Sequence, residues 1–251
     1  MARLLDIVII AATALLAARL YFSGLRHRYR RFFLFLVFEV ARGAVLTAFD
    51  PRGFAYQKIW VLTEPLEWLL YVLVVMEIYD LVLSDYRGLS TAGRWFVAMA
   101  MVMALLAAAI SVFAPSHPPD QSRLMSYIYM AERAVYFSLA VFLVTILVLL
   151  MQYPIVLRRN IIAHSLIFCV YFVSSTLIYH LLSAGGIRVM PIVRQALDGV
   201  DLATIGAWLL LLNRAGEQRR QQLRPAWMPG REKDLVNQLH NLNFAVQNLI
   251  S

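Results

Sequence analysis

Two acidic pairs stand at i,i+3 spacing inside otherwise apolar sequence, Glu64/Glu67 and Asp198/Asp201. On a helix, each pair shares one face. Glu132 and Arg133 lie together in a third apolar stretch, Glu39 precedes Arg42 by three residues in a fourth, and His180 closes a fifth. An ionisable group at the centre of a membrane helix costs about 2.5–3.5 kcal/mol on insertion scales, so it is kept for pairing or for function. Carboxyls that share a site select a cation, a proton or a basic group, and they suit proton coupling. The bland alternative stays open. Arg42 can pair with Glu39 on its own helix, Arg133 can neutralise an acid on a neighbour, and buried pairs often fix helix register without chemistry. Pro65, between the two glutamates, removes a backbone donor and is expected to free the Val61 carbonyl and kink the helix there.

Other chemistry is poorly represented. His164 and His180 are sixteen residues apart in one stretch, about 24 Å along a helix, and cannot share a metal. The chain has one cysteine, Cys169, and no HExxH, GxSxG, Walker or Rossmann glycine pattern. No cofactor, metal site or catalytic residue is expected, and an enzyme is the least favoured class. A rhodopsin-like use of retinal is disfavoured because the last apolar stretch has no lysine. Glu67/Tyr71 and Glu132/Tyr136 repeat a Glu-x-x-x-Tyr spacing, a weak hint of the internal repeat found in many transporters.

The elements that must carry these residues are membrane helices. Of the 251 residues, 61% are hydrophobic and 15% charged, with a mean hydropathy of +0.67. Soluble domains carry about 25% charged residues, so this chain cannot cover a globule with polar surface. Apolar runs bounded by Pro, Gly and charge give an all-α bundle with seven spans: 4–22, 32–49, 59–83, 95–114, 124–151, 161–183 and 192–213. The connections are short, which favours antiparallel neighbours. The last span is the weakest because Arg194, Asp198 and Asp201 interrupt it. The first resembles a signal peptide in place only, since its positive charge follows the apolar run.

The net charge of +8 comes from 21 Arg and 2 Lys. Fourteen of these lie in the loops after the first, third and fifth spans and in the tail, against six in the alternate loops. That bias puts the N-terminus outside and the C-terminus in the cytoplasm. It also accounts for the basicity without nucleic acid. In this orientation the intramembrane acids gather in the outer half of the bundle, with Glu64, Glu67, Glu132, Arg133, Asp198, Asp201, Arg42, Glu39 and His180 as the candidate polar site. Glu77 and Asp80 form a third i,i+3 pair at the cytoplasmic end, expected in a salt-bridge cluster with Arg87 and other loop arginines.

Residues 214–251 form the expected cytoplasmic tail. Pro225 and Pro229-Gly230 break it, and residues 232–250 then have helical periodicity. Leu235, Leu239, Leu242, Val246 and Leu249 make a short seam for docking on the bundle, self-association or a cytoplasmic partner. The basic loops should attract anionic lipid headgroups.

Glu64-Pro65-Leu66-Glu67-Trp68, Glu77-Ile78-Tyr79, Tyr86-Arg87-Gly88-Leu89 and the tail's Leu239-His240-Asn241-Leu242-Asn243 resemble a group of bacterial seven-helix integral membrane proteins of unknown function. The resemblance implies a multi-pass protein of the bacterial plasma membrane and says nothing about mechanism. Two functions fit these observations: a sensor or scaffold with an outward acidic site, and a small ion- or proton-coupled transporter.

Overall fold

A computed structural model describes residues 2–50, 53–83, 123–152, 156–185, 189–218 and 220–222, with Asn237 and Asn241. The fourth expected span, 95–114, and the tail seam lie outside the described residues, as does Arg87.

Long apolar runs become long helices, because in lipid each backbone polar group must be satisfied within its own segment. They are α1 (Ala2–Ser23), α2 (Arg30–Thr47), α3 (Phe54–Val82), α4 (Arg123–Gln152), α5 (Arg159–Gly185) and α6 (Met190–Leu211). A single turn, α7 (Arg214–Gln218), follows. The boundaries fall within five residues of those read from hydropathy. Four of the helices, α1, α3, α4 and α5, are long and apolar enough to cross a membrane. α2 and α6 are long but carry the charges Glu39, Arg42, Arg194, Asp198 and Asp201. Pro65 does not end α3. The Thr63 hydroxyl lies just ahead of it, bonded to the carbonyls of Ile59 and Trp60 at 2.8 and 3.1 Å.

The helices close into a ring. Each packs on its neighbours from α1 to α6, α1 meets α6, and α3 also touches α5 across the middle. The core is aromatic where α2, α5 and α6 meet. Phe32, Phe168 and Trp208 lie with ring centroids 4.7–5.8 Å apart, and His164 sits among them. Large apolar side chains such as Leu62 (76% exposed), Leu177 (61%) and Val170 (58%) cover the outside, as expected of a surface solvated by lipid. At Gly43, an added Cβ would stand 2.7 Å from Ile10 Cγ1, so glycine lets α1 and α2 approach closely.

The two ends of the bundle differ. At one, the α1–α2 turn, the start of α5 and residues 213–218 and 220–222 meet. There β1 (Val156–Arg158) pairs antiparallel with β2 (Arg220–Gln222), Leu157 opposite Gln221. This ribbon was not expected, since the polar tail lacks strand patterning. At the other end Asp6 of α1 meets Arg194 of α6 at 3.5 Å. We call these the basic and the acidic end.

Candidate functional site

Arg42 organises the acidic half. Its guanidinium is ion-paired with both Glu64 and Glu67, its Nε donates to Thr63 Oγ1 at 3.0 Å, and Nη1 lies 3.9 Å from Glu39. The i,i+3 spacing of the two α3 glutamates puts both carboxylates on the face that α2 presents with Arg42. A planar guanidinium reaches both at once, as a lysine ammonium does not. All three side chains are at most 9% exposed. The pairing expected within α2, between Arg42 and Glu39, is therefore the longer contact, and the dominant one joins two helices.

Glu132 on α4 extends this network. It accepts a hydrogen bond from Tyr179 on α5 and lies close enough to Glu64 for their charges to interact. The two Glu-x-x-x-Tyr segments face each other, with the rings of Tyr71 and Tyr136 edge-to-face at 5.6 Å. Tyr71 and Tyr171 share a 2.7 Å hydroxyl–hydroxyl bond, and Tyr171 lies against Asp201.

Beside the network two cavities adjoin. The outer, of about 470 Å³, lies between α1, α2, α3 and α6 and is bordered by Asp6, Glu39, Arg42, Arg194, Asp198 and Asp201. The inner, of about 90 Å³, reaches Phe35, Glu67, Tyr71, Tyr171, Thr204 and Trp208. Thr13, Ile9, Glu39 and Asp201 border both. Of the nine residues singled out from the sequence, Glu39, Arg42, Glu67, Asp198 and Asp201 line these cavities, while Glu64 and Glu132 stand behind them. Arg133 and His180 line neither; His180 is exposed at the acidic end of α5. Sequence reasoning missed Thr13, Tyr171, Thr204 and Trp208, because an apolar membrane helix shows no periodicity that marks its inward face. Carboxyls outnumber cations around the inner cavity. Among the described residues no three His, Cys, Asp or Glu side chains converge as a metal site would require.

A second polar cluster, also missed, ties the basic end. Glu217 of α7 meets Arg28 Nε and Arg158 Nη1, each at 2.7 Å, and accepts from Tyr29 at 3.0 Å and Asn160 at 3.3 Å. Burial, with Glu217 alongside, pushes the Tyr29 phenol up from its ordinary value, so it stays a proton donor. Asn160, fully buried, also donates to the Asn213 carbonyl at 2.8 Å, and Asn213 Oδ1 caps the Gly216 N–H at 2.6 Å. Arg214 Nε reaches the Ser23 carbonyl at 2.6 Å. Glu77 does not act chiefly as a salt-bridge partner. Its carboxylate accepts the backbone N–H groups of Arg31 and Phe32 at 2.8 and 3.0 Å and so caps α2 from α3. Asp80 meets Arg31 at 3.5 Å.

No known family model, curated protein or solved structure matches the chain.

Proposed function

We propose that the chain is a seven-span protein of the bacterial plasma membrane, acidic end outside, that receives a small positively charged ligand in its outer cleft and signals to its cytoplasmic tail. Support for seven crossings comes from chain direction. α3 ends at the basic end, where Glu77 meets Arg31, whereas α4 must start at the acidic end for Glu132 to meet Tyr179, near the far end of α5. The two ends lie on opposite sides of the bundle, and the sequence between them holds one apolar run, 95–114, long enough for a crossing. Charges along α2 (Arg30, Arg31, Glu39 and Arg42) and α6 (Arg194, Asp198 and Asp201) explain why these two fall short on hydropathy alone.

The observation that carries the sensor reading is α6. It places Asp201 and Trp208, seven residues apart and so on one face, against the cavities, and then runs directly into Asn213, Gly216 and Glu217 of the tail cluster. A ligand that shifts α6 acts on the tail through one rigid element. Phe32, Phe168, His164 and Trp208 fill the bundle below the inner cavity, as a receptor needs and a permanently open channel forbids.

The test uses Thr13→Cys in a Cys169→Ser background, in intact bacterial cells. Membrane-impermeant methanethiosulfonates should label the introduced thiol from outside, with a trimethylammonium-to-sulfonate rate ratio about tenfold or more above the same ratio on a free thiol in solution, the scale on which an acidic cleft concentrates cations. Asp201→Asn should shrink that ratio. A ratio no greater than that on a free thiol, or labelling only after permeabilisation, would overturn the reading. The transport alternative requires the same site to open to both sides, and predicts labelling from the cytoplasmic face of inverted vesicles as well.

A further inference from the structure

We infer that the inner cavity is a cage for the ammonium group of a small amino alcohol; this rests on the cleft being a cation site and names the class it takes. Four aromatic rings, Phe35, Tyr71, Tyr171 and Trp208, border the cavity, with Phe35 and Tyr71 centred 4.9 Å apart and Tyr71 and Tyr171 5.8 Å apart. Aromatic faces attract alkylammonium ions, most strongly where water is excluded. Glu67 is held by Arg42, so the carboxyls left to meet a ligand cation are Glu39 and Asp201.

Two further observations point to a missing partner. Glu39 Oε1 has no hydrogen-bond partner beyond its 3.9 Å ion-pair contact with Arg42 Nη1, and the indole Nε1 of Trp208, a residue 4% exposed, has none at all. Buried polar atoms are nearly always paired in native proteins. One of these is an acceptor and the other a donor only, so the complement is a group that donates or is positive at one end and accepts at the other. The acceptor must be a neutral oxygen. A carboxylate or phosphate there would stand among Glu39, Glu67 and Asp201.

Size agrees. The cavity's 90 Å³ is several times the ~10–15 Å³ that one water needs, which suits a group of a few heavy atoms. The outer cleft leaves room for whatever the amino alcohol is attached to. The same chemistry occurs free in solution and in lipid headgroups, where Arg3 and Arg194, both on the outer cleft, would face the phosphate.

The experiment measures binding to the full chain in phosphatidylglycerol nanodiscs by tryptophan fluorescence and calorimetry. Choline and ethanolamine should bind saturably. The neutral isostere 3,3-dimethylbutanol and the carboxylate analogue glycine betaine should bind about tenfold or more weaker, as loss of cation–π and charge pairing implies. Glu39→Gln and Asp201→Asn should each weaken choline by about tenfold, and Trp208→Phe should weaken choline more than tetramethylammonium, which lacks the oxygen. If nanodiscs containing phosphatidylcholine abolish binding of added choline, a lipid headgroup is the occupant; if not, the free molecule is. No saturable choline or ethanolamine binding, or equal binding of the neutral isostere, overturns the proposal even if a variant fails to fold. Charge-selective labelling of Thr13→Cys without choline binding removes the cage alone; loss of both removes the cation site.

Discussion

Tyr29, in the turn before α2, donates a 3.0 Å hydrogen bond to Glu217, 188 residues along the chain. With Arg28 and Arg158 on the same carboxylate, this one side chain ties the α1–α2 turn and the start of α5 to the segment after α6. The two arginines are about a third exposed, so solvent screens part of their attraction. The buried phenol and amide contribute what is left. Glu217→Gln should therefore lower stability by about 1–2 kcal/mol and speed tryptic cleavage at Arg219 and Arg220, read by gel in nanodiscs. Unchanged cleavage would mean that the cluster does not hold the tail.

Gly216 tests the same junction sterically. A Cβ at this position would overlap the amide of Asn160 and stand 3.2 Å from Asn213 Oδ1. Because Asn160 is wholly buried and committed to Asn213 and Glu217, it has nowhere to move. Gly216→Ala should cost about 1–3 kcal/mol, the usual range for overpacking. Thermal unfolding should show that adding Asn160→Ala makes the pair less destabilised than the sum of the two singles.

The sequence legibly placed the six long helices among the described residues and the acids on them, because hydropathy and charge are local properties. It did not place their partners. Arg42 has an acid three residues away on its own helix, yet Glu64 and Glu67 hold it, since two carboxylates on a facing helix outcompete one along the same helix. Glu77 looked like one member of an arginine cluster and instead caps α2, because the four free N–H groups of a helix start attract a carboxylate whatever side chains lie nearby. Glu217 was overlooked as one acid in an arginine- and glutamine-rich stretch. Its meaning comes from Tyr29, Arg28, Arg158 and Asn160, all remote in sequence. Trp208 and Tyr171 were invisible for a different reason: in lipid an aromatic residue suits either face of a helix.

The cap on α2 makes its own prediction. Glu77→Gln keeps one carbonyl oxygen for the two N–H groups, and Glu77→Ala keeps none. Stability should fall in that order, by about 0.5–2 kcal/mol for alanine, the range for losing an N-cap. Amide hydrogen exchange at Arg31 and Phe32 should quicken while the middle of α2 stays protected. Uniform exchange along α2 would assign the loss to packing instead.

Arg42 gives the sharpest separation of structure from function. Arg42→Met would strand Glu64 and Glu67, both at most 9% exposed, and breaking such a buried pair costs about 3–5 kcal/mol. Arg42→Lys should recover only part, since a point charge cannot serve both carboxylates and Thr63 together. The triple change with Glu64→Gln and Glu67→Gln should recover most of it, because no unpaired charge is then left buried. Glu39→Gln and Asp201→Asn belong to the other category: neither carboxylate is a close ion-pair partner of Arg42, so thermal unfolding should move little while cation-selective labelling of Thr13→Cys declines. Stable Arg42→Met protein would mean that the two glutamates need no counter-charge. Strongly destabilised Glu39→Gln or Asp201→Asn would place those carboxyls in the framework that holds the helices together and not in a site for a ligand.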